Sequence, residues 1–294
     1  MKRKDSPRRS VLYVPASNAK AMGKIASLSC DAVILDLEDA VGPDEKAGAR
    51  DNVRAFFAAR PKLACELVVR VNAPSSEWGH EDLELAAALA PDAVLLPKVD
   101  TPRDVLEAGD VLDEEGAAET RLWAMVETPK AILNIGAIAE LGRDPASRLS
   151  CLVAGTNDLI KETGVLATPD RRYLQAWLMQ IVLAARAGGL DALDGVSNDF
   201  RDLEAFAREC ADGAAMGFDG KTLIHPAQIE AANAAFSPAP EALAAARAVV
   251  AAFALPQNRG KGVLSIDGRM VERLHLAQAE KLISRTGRDR ETPQ

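Results

Sequence analysis

The sequence is poor in the residues that usually announce a metal or redox centre: it has four cysteines and three histidines in 294 residues. Cys30, Cys65, Cys151 and Cys210 form no CxxC pair and no histidine pair has zinc-ligand spacing, which removes a structural zinc site and a dithiol redox motif. Three of the cysteines sit beside apolar runs and read as buried, reduced thiols, as expected of a cytoplasmic protein. No apolar stretch approaches the roughly 20 residues that a membrane span needs. The basic start "MKRKDSPRRS" leads only into a short strand-like run, so it reads as a solvated lead-in rather than a signal segment. Positive charge is in deficit as well. A net charge of −8 argues against nucleic acid or an anionic membrane surface as the main partner, and any anionic ligand needs a local cationic pocket. No GxGxxG follows the first strand-like run, so the dinucleotide-binding fingerprint is missing too.

What the chain does have is alternation. Short β-branched runs recur: "VLYV" 11–14, "AVILDL" 32–37, "LVVRV" 67–71, "AVLLP" 93–97, "LWAMV" 122–126, "CLVAG" 151–155, "LDAL" 190–193 and "KTLIH" 221–225. Between them lie alanine- and leucine-rich stretches with helical spacing, such as Leu203, Phe206 and Cys210. Such alternation implies parallel strands joined by right-handed crossovers. Eight units suit a closed TIM (β/α)8 barrel better than an open doubly wound sheet, where about six strands are usual. The barrel is expected over residues 8–236, followed by a C-terminal helical extension over 237–294. In that extension an alanine-rich helix is broken at "LPQNRGKGV", and a turn at Asp267–Gly268 leads into a last helix.

Asp36, Glu38, Arg70, Lys98, Glu127, Asp158 and Asp194 all fall at or just after the end of a strand, and in a barrel those ends converge on one face. Glu127 and Asp158 end consecutive strands, so their carboxylates are neighbours at the mouth. They are either hard-oxygen ligands for a magnesium ion, or a surface salt bridge and a helix N-cap. Arg70 ends a strand too apolar to leave a guanidinium unpaired. It meets either Glu38 or Asp39 of the protein or a carboxylate of the substrate. Lys98 is the other cation there, a Schiff-base lysine or an ion-pair partner. His225 stands before Pro226 and reads as a helix-start or packing residue; His80 and His275 lie in no motif. In "AVILDLEDAV" three carboxylates, Asp36, Glu38 and Asp39, crowd together and call for a cation.

The segments "RRSVLYVPASN", "AVILDLEDAVGPDEKAGAR", "VVRVNAP", "LLPKV", "VETPKAILNIGAIA", "AGTNDL", "MGFDGKTLIHPAQI" and "GVLSIDGRMVERLHLAQAEKLI" together resemble the citrate lyase β-subunit-like family within the HpcH/HpaI aldolase superfamily. The likeness runs from Arg8 to Ile283. It implies a cytoplasmic, Mg2+-dependent barrel lyase, a homotrimer or hexamer. Such a lyase cleaves or forms the carbon–carbon bond of a 3-hydroxyacyl-CoA such as malyl-, citramalyl- or citryl-CoA, with a 2-oxo acid and an acyl-CoA as the other side of the reaction. By the same resemblance Glu127 and Asp158 match the metal ligands, Glu38 and Asp39 an acidic pair holding the metal's water shell, and Arg70 the substrate-binding, oxyanion-stabilising arginine. Lys98 is read as a second substrate-binding cation. Asp267 matches an acid/base residue that the C-terminal segment delivers into an adjacent subunit's site. Ala16, Asn157 and Leu274 depart from the family pattern without touching these positions. Three other readings stay open: a metal-dependent aldolase on free 2-oxo acids, a citrate lyase β subunit working on an acyl-carrier-protein thioester, and a catalytically silent assembly subunit.

Overall fold

A computed structural model describes residues 7–59, 61–266 and 268–284. The chain divides after Phe236 into two compact units. In the first, running from Arg8 to Phe236, eight parallel strands close into a barrel in sequence order. They are β1 (Ser10–Pro15), β2 (Ala32–Asp36), β3 (Glu66–Arg70), β4 (Ala93–Leu96), β5 (Arg121–Val126), β6 (Leu149–Ala154), β7 (Asp191–Asp194) and β8 (Gly220–Leu223). Closure is made by β1 pairing with β8, Val11 opposite Thr222. All eight strand-like runs in the sequence are strands of this barrel.

The period-2 alternation of each strand sorts the apolar residues into two separate cores. Val11, Ile34, Val68, Leu95, Trp123, Cys151, Val153 and Leu193 point inward and fill the barrel. Leu12, Val33, Leu35, Val69, Val94, Leu122 and Leu152 point outward against the helices. Trp123 is fully buried within the inner core. Truncating such a residue to alanine costs about 3–5 kcal/mol.

The helices carry complementary stripes. In the helix Pro129–Glu140, Ile132, Ile135, Ile138 and Ala139 are buried at three- and four-residue intervals. Thr128 caps it, its hydroxyl accepting from Ala131 N at 2.9 Å, and Pro129 takes the first helical position, where no N–H is needed. The cap matters for function because it fixes the exit of β5, one residue after Glu127. All four cysteines are buried and none is in a disulfide.

In the second unit the helix Pro240–Ala254 packs with the helix Arg273–Ser284. Between them β9 (Val263–Ile266) and β10 (Arg269–Glu272) form an antiparallel hairpin, with Gly268 at φ +76 in its turn. Asp267, the expected acid/base group, lies outside the described residues. Among the described residues no helix is long and apolar enough to cross a membrane.

Candidate active site

Extending the inward parity by one step along each strand places polar groups above the apolar layer. On β1 the series Val11 leads to Tyr13, on β2 Ile34 leads to Asp36, on β3 Val68 leads to Arg70, and on β5 Trp123 leads to Met125 and then Glu127. The register of β2 on β3 sets Asp36 directly beside Arg70. Arg70 Nε and Nη2 donate to Asp36 Oδ1 and Oδ2 at 2.7 and 2.6 Å, a bidentate pair at 1% and 6% exposure. Burial works against the Arg70 charge, but Asp36, Tyr13 and Glu38 together outweigh it and hold the guanidinium protonated. The third arm, Nη1, is not used by Asp36. It lies 2.8 Å from Glu38 Oε2 as an ion pair without hydrogen-bond geometry, and 3.5 Å from the exposed Asp39 carboxylate.

The acidic loop after β2 is tied down from below. Lys46 Nζ donates to the carbonyls of Leu37 and Glu38 at 2.7 and 2.8 Å and to Asn72 Oδ1 at 2.8 Å. Asn72 Nδ2 donates to Leu37 O at 2.8 Å. Asp36 also accepts the backbone N–H groups of Glu38 and Ala40 at 2.9 and 3.3 Å. The loop geometry therefore comes from a buried ammonium and amide.

Lys98 Nζ is the point on which the rim carboxylates converge. It lies 3.1 Å from Glu38 Oε1 and 3.9 Å from both Glu127 Oε1 and Asp158 Oδ1. Burial pulls the Lys98 ammonium down, and the charges of Glu127 and Glu38 reverse this, so it stays protonated. Lys98 is one of four non-glycine residues with a positive φ among the described residues, at 51°, a conformation of higher energy that the surroundings must hold. That conformation aims its backbone N–H at Glu127 Oε1, 2.7 Å away.

Glu127 is fully buried, and its second oxygen, Oε2, has no hydrogen-bond partner. Burial and the neighbouring Glu38 charge push its carboxyl up to about 7. Burial raises Glu38 as well, against the pull of Arg70. Gly155, at the end of β6, lets this packing exist. A Cβ there would stand 2.3 Å from Glu127 Cβ and 2.6 Å from Oε2. Asp158 follows in the first turn of the helix Thr156–Thr163.

Three carboxylates about one ammonium, two of them (Glu38 and Glu127) carrying a buried oxygen without a hydrogen-bond partner, make a donor set suited to a hard divalent cation. Among the described residues no three or more acidic, histidine or cysteine side chains gather at metal-binding distance. An ion at this rim would take Glu127 and Asp158 and fill its other positions with water and ligand oxygens, the pattern expected of magnesium. Beside these groups a cleft of about 260 Å3 is lined by Tyr13, Arg70, Met125, Val196, Asn198 and Ile224, among others.

Profile comparison settles the lineage: residues 9–226 match the HpcH/HpaI aldolase/citrate lyase family. The chain belongs to this family. Among its relatives is the (3S)-malyl-CoA thioesterase of Cereibacter sphaeroides, 46% identical over 279 residues, 95% of this chain and 94% of the relative. The mitochondrial citramalyl-CoA lyase of Homo sapiens is 35% identical over 289 residues, 95% of this chain and 85% of that one. CitE from Mycobacterium tuberculosis, in a crystal structure with magnesium, acetoacetate and coenzyme A, superposes with a TM-score of 0.75 at 33% identity, covering 97% of this chain and 100% of the other.

Within the family frame, Arg70, Glu38, Asp39, Lys98, Glu127 and Asp158 come together at one rim, as their positions after strands suggested. Asp194 does not share that rim's cleft. It is buried in a separate network, with Arg171 Nη1 2.7 Å and Lys221 Nζ 3.0 Å from its oxygens. His225 accepts Ala227 N at 3.1 Å through Nδ1 and stacks on Phe200, as a helix-start residue does. Sequence reasoning missed Asp36 as the clamp on Arg70, Lys46 as the anchor of the acidic loop, and Tyr13. The parity of Val11 and Ile34 carried the signal for Tyr13 and Asp36.

Proposed function

We propose that this protein is a magnesium-dependent carbon–carbon lyase acting on a 3-hydroxyacyl-CoA of the malyl, citramalyl or citryl type, giving a 2-oxo acid and an acyl-CoA or running in reverse. The observation that carries the reading is the Glu127 carboxylate, buried with an oxygen that nothing satisfies and set against Lys98 together with Glu38 and Asp158. The magnesium and CoA bound to CitE at 33% identity support the same cofactor and substrate class here.

Magnesium, when bound by Glu127 and Asp158, supplies a Lewis acid for the substrate's carboxylate and hydroxyl oxygens. Glu38 and Asp39 hold water around it. Arg70, immobilised by Asp36, presents Nη1 to the thioester oxygen on which negative charge grows as the carbon–carbon bond breaks. A preorganised donor of that kind is commonly worth about 3 kcal/mol. Lys98 offers a second positive charge to the acyl carboxylate. Asp267, from the C-terminal segment of a neighbouring subunit in a trimer or hexamer, returns the proton to the enolate carbon.

A second reading has a specific observation behind it. The 46% identity to a (3S)-malyl-CoA thioesterase, above the 35% to a citramalyl-CoA lyase, favours hydrolysis of the thioester at the same site. Malyl-, citramalyl- and citryl-CoA, each assayed with and without Mg2+ for 2-oxo acid and for free CoA thiol, separate the two. Lysis releases oxo acid without thiol; hydrolysis releases thiol without oxo acid. Turnover of none of the three, or turnover indifferent to chelation of the metal, would sink the proposal.

A further inference from the structure

Two strong hydrogen-bond donors in the cleft point at one poor acceptor. The Tyr13 hydroxyl lies 3.9 Å from Met125 Sδ, and Arg70 Nη1 lies 3.7 Å from the same sulfur. Among the described residues the phenol has no oxygen or nitrogen acceptor. A thioether sulfur accepts weakly, and whereas Arg70 Nη1 also has Glu38 Oε2 2.8 Å away, the phenol has only the sulfur. The pair is also rigid. The Arg70 guanidinium sits over the Tyr13 ring, 4.8 Å from its centroid, and Asp36 fixes the guanidinium from its other edge. Burial raises the Tyr13 phenol, with Arg70 pulling the other way, and the net rise keeps it a donor at neutral pH.

We propose that Tyr13 is a further catalytic residue: its hydroxyl, beside Arg70 Nη1, donates to the thioester oxygen, and Met125 Sδ is only the resting acceptor of the phenol. The assignment rests on the function proposed above. In lysis the hydroxyl proton of the acyl group leaves to a base, its electron pair forms the oxo-acid carbonyl, and the carbon–carbon bond breaks. The bonding pair then forms a carbon–carbon double bond, and the thioester carbonyl pair moves onto oxygen. In hydrolysis, addition of water to the thioester carbon puts charge on the same oxygen. Tyr13 keeps its proton throughout, so one donor pair serves both reactions.

Tyr13→Phe removes one oxygen and retains the ring under Arg70. The expected result is a fall in kcat of about a hundredfold or more, on the scale of a lost oxyanion donor. KM for the thioester and Mg2+ affinity by calorimetry should stay at their wild-type values. Unchanged kcat, or a loss of metal affinity matching the loss of kcat, overturns the assignment. A second readout avoids any folding effect of the substitution. The chain has two tyrosines, and Tyr173 is exposed outside the cleft, so 3-fluorotyrosine labelling gives two 19F resonances with an internal reference. Acetyl-CoA added with Mg2+ should shift the Tyr13 resonance and leave that of Tyr173 in place; no shift of Tyr13 at saturating acetyl-CoA counts against the contact. Wild-type protein inactive on every thioester points to failure of the proposed function. Wild-type turnover matched by Tyr13→Phe points to failure of this inference alone.

Discussion

Gly155→Ala tests the packing that brings Glu127 into place. The added Cβ would meet Glu127 Cβ at 2.3 Å and Oε2 at 2.6 Å, where ordinary contact begins at 3.4 Å. One of the two residues must therefore retreat by about 1 Å, in an interior that yields to extra volume at a cost of about 1–3 kcal/mol. Glu127 cannot simply swing away, because its Oε1 is held by the Lys98 amide at 2.7 Å. A displacement of about 1 Å in a positioning group costs on the order of a hundredfold in rate. The variant should therefore unfold a few degrees lower and bind Mg2+ more weakly, with kcat/KM down by about a hundredfold. Thermal melting, Mg2+ calorimetry and thioester turnover on the same preparation measure all three. A variant that melts lower yet binds metal and turns over like the wild type would show that Glu127 is not held by this contact in the working site.

Asp36→Asn leaves Arg70 buried without its bidentate carboxylate, so denaturant unfolding should report a loss of about 3–5 kcal/mol; a loss under 1 kcal/mol would mean that Glu38 takes over the pairing. Asp194 supplies a pH test. Burial alone would raise its carboxyl, but Lys221 and Arg171 outweigh burial and hold it below the usual carboxylate range. The resulting stability is present above the unfolded-state pKa of about 3.9 and is lost as pH falls through the lower folded value. Asp194→Asn should thus be less stable at pH 7, with a shallower decline in urea midpoint below about pH 4; parallel pH curves for the two proteins would refute the linkage. Asp267→Asn should lower turnover by a hundredfold or more, as removal of a general acid or base does, while Mg2+ calorimetry stays unchanged; equal loss of both would contradict the proton-transfer role proposed for it.

The barrel was legible because eight strands buried on both faces read as apolar runs, and parallel strands need the helical stretches between them. The rim was legible in outline for the same reason: strand ends converge, so Arg70, Glu127 and Asp158 had to be neighbours. Which cation pairs with which anion was not. Arg70 chose Asp36 through the β2–β3 register, and a one-residue slip would have turned it to the helices. Asp194 followed the same strand-end rule and still went elsewhere, because Arg171, well before β7 in sequence, reaches its carboxylate. Gly155 could be recognised only once the distance to Glu127 was known, since a glycine after a strand is common for many reasons. The positive φ of Lys98 is equally silent in the sequence.

The most direct measurement of the central claim is calorimetric titration of Mg2+ into the wild type, Glu127→Gln and Asp158→Asn, each checked for an intact melt. The wild type should bind one ion per chain, and each substitution should weaken binding by at least about tenfold, since either removes one of the two proposed protein oxygen ligands. Wild-type affinity in both variants would place the ion elsewhere and contradict the account.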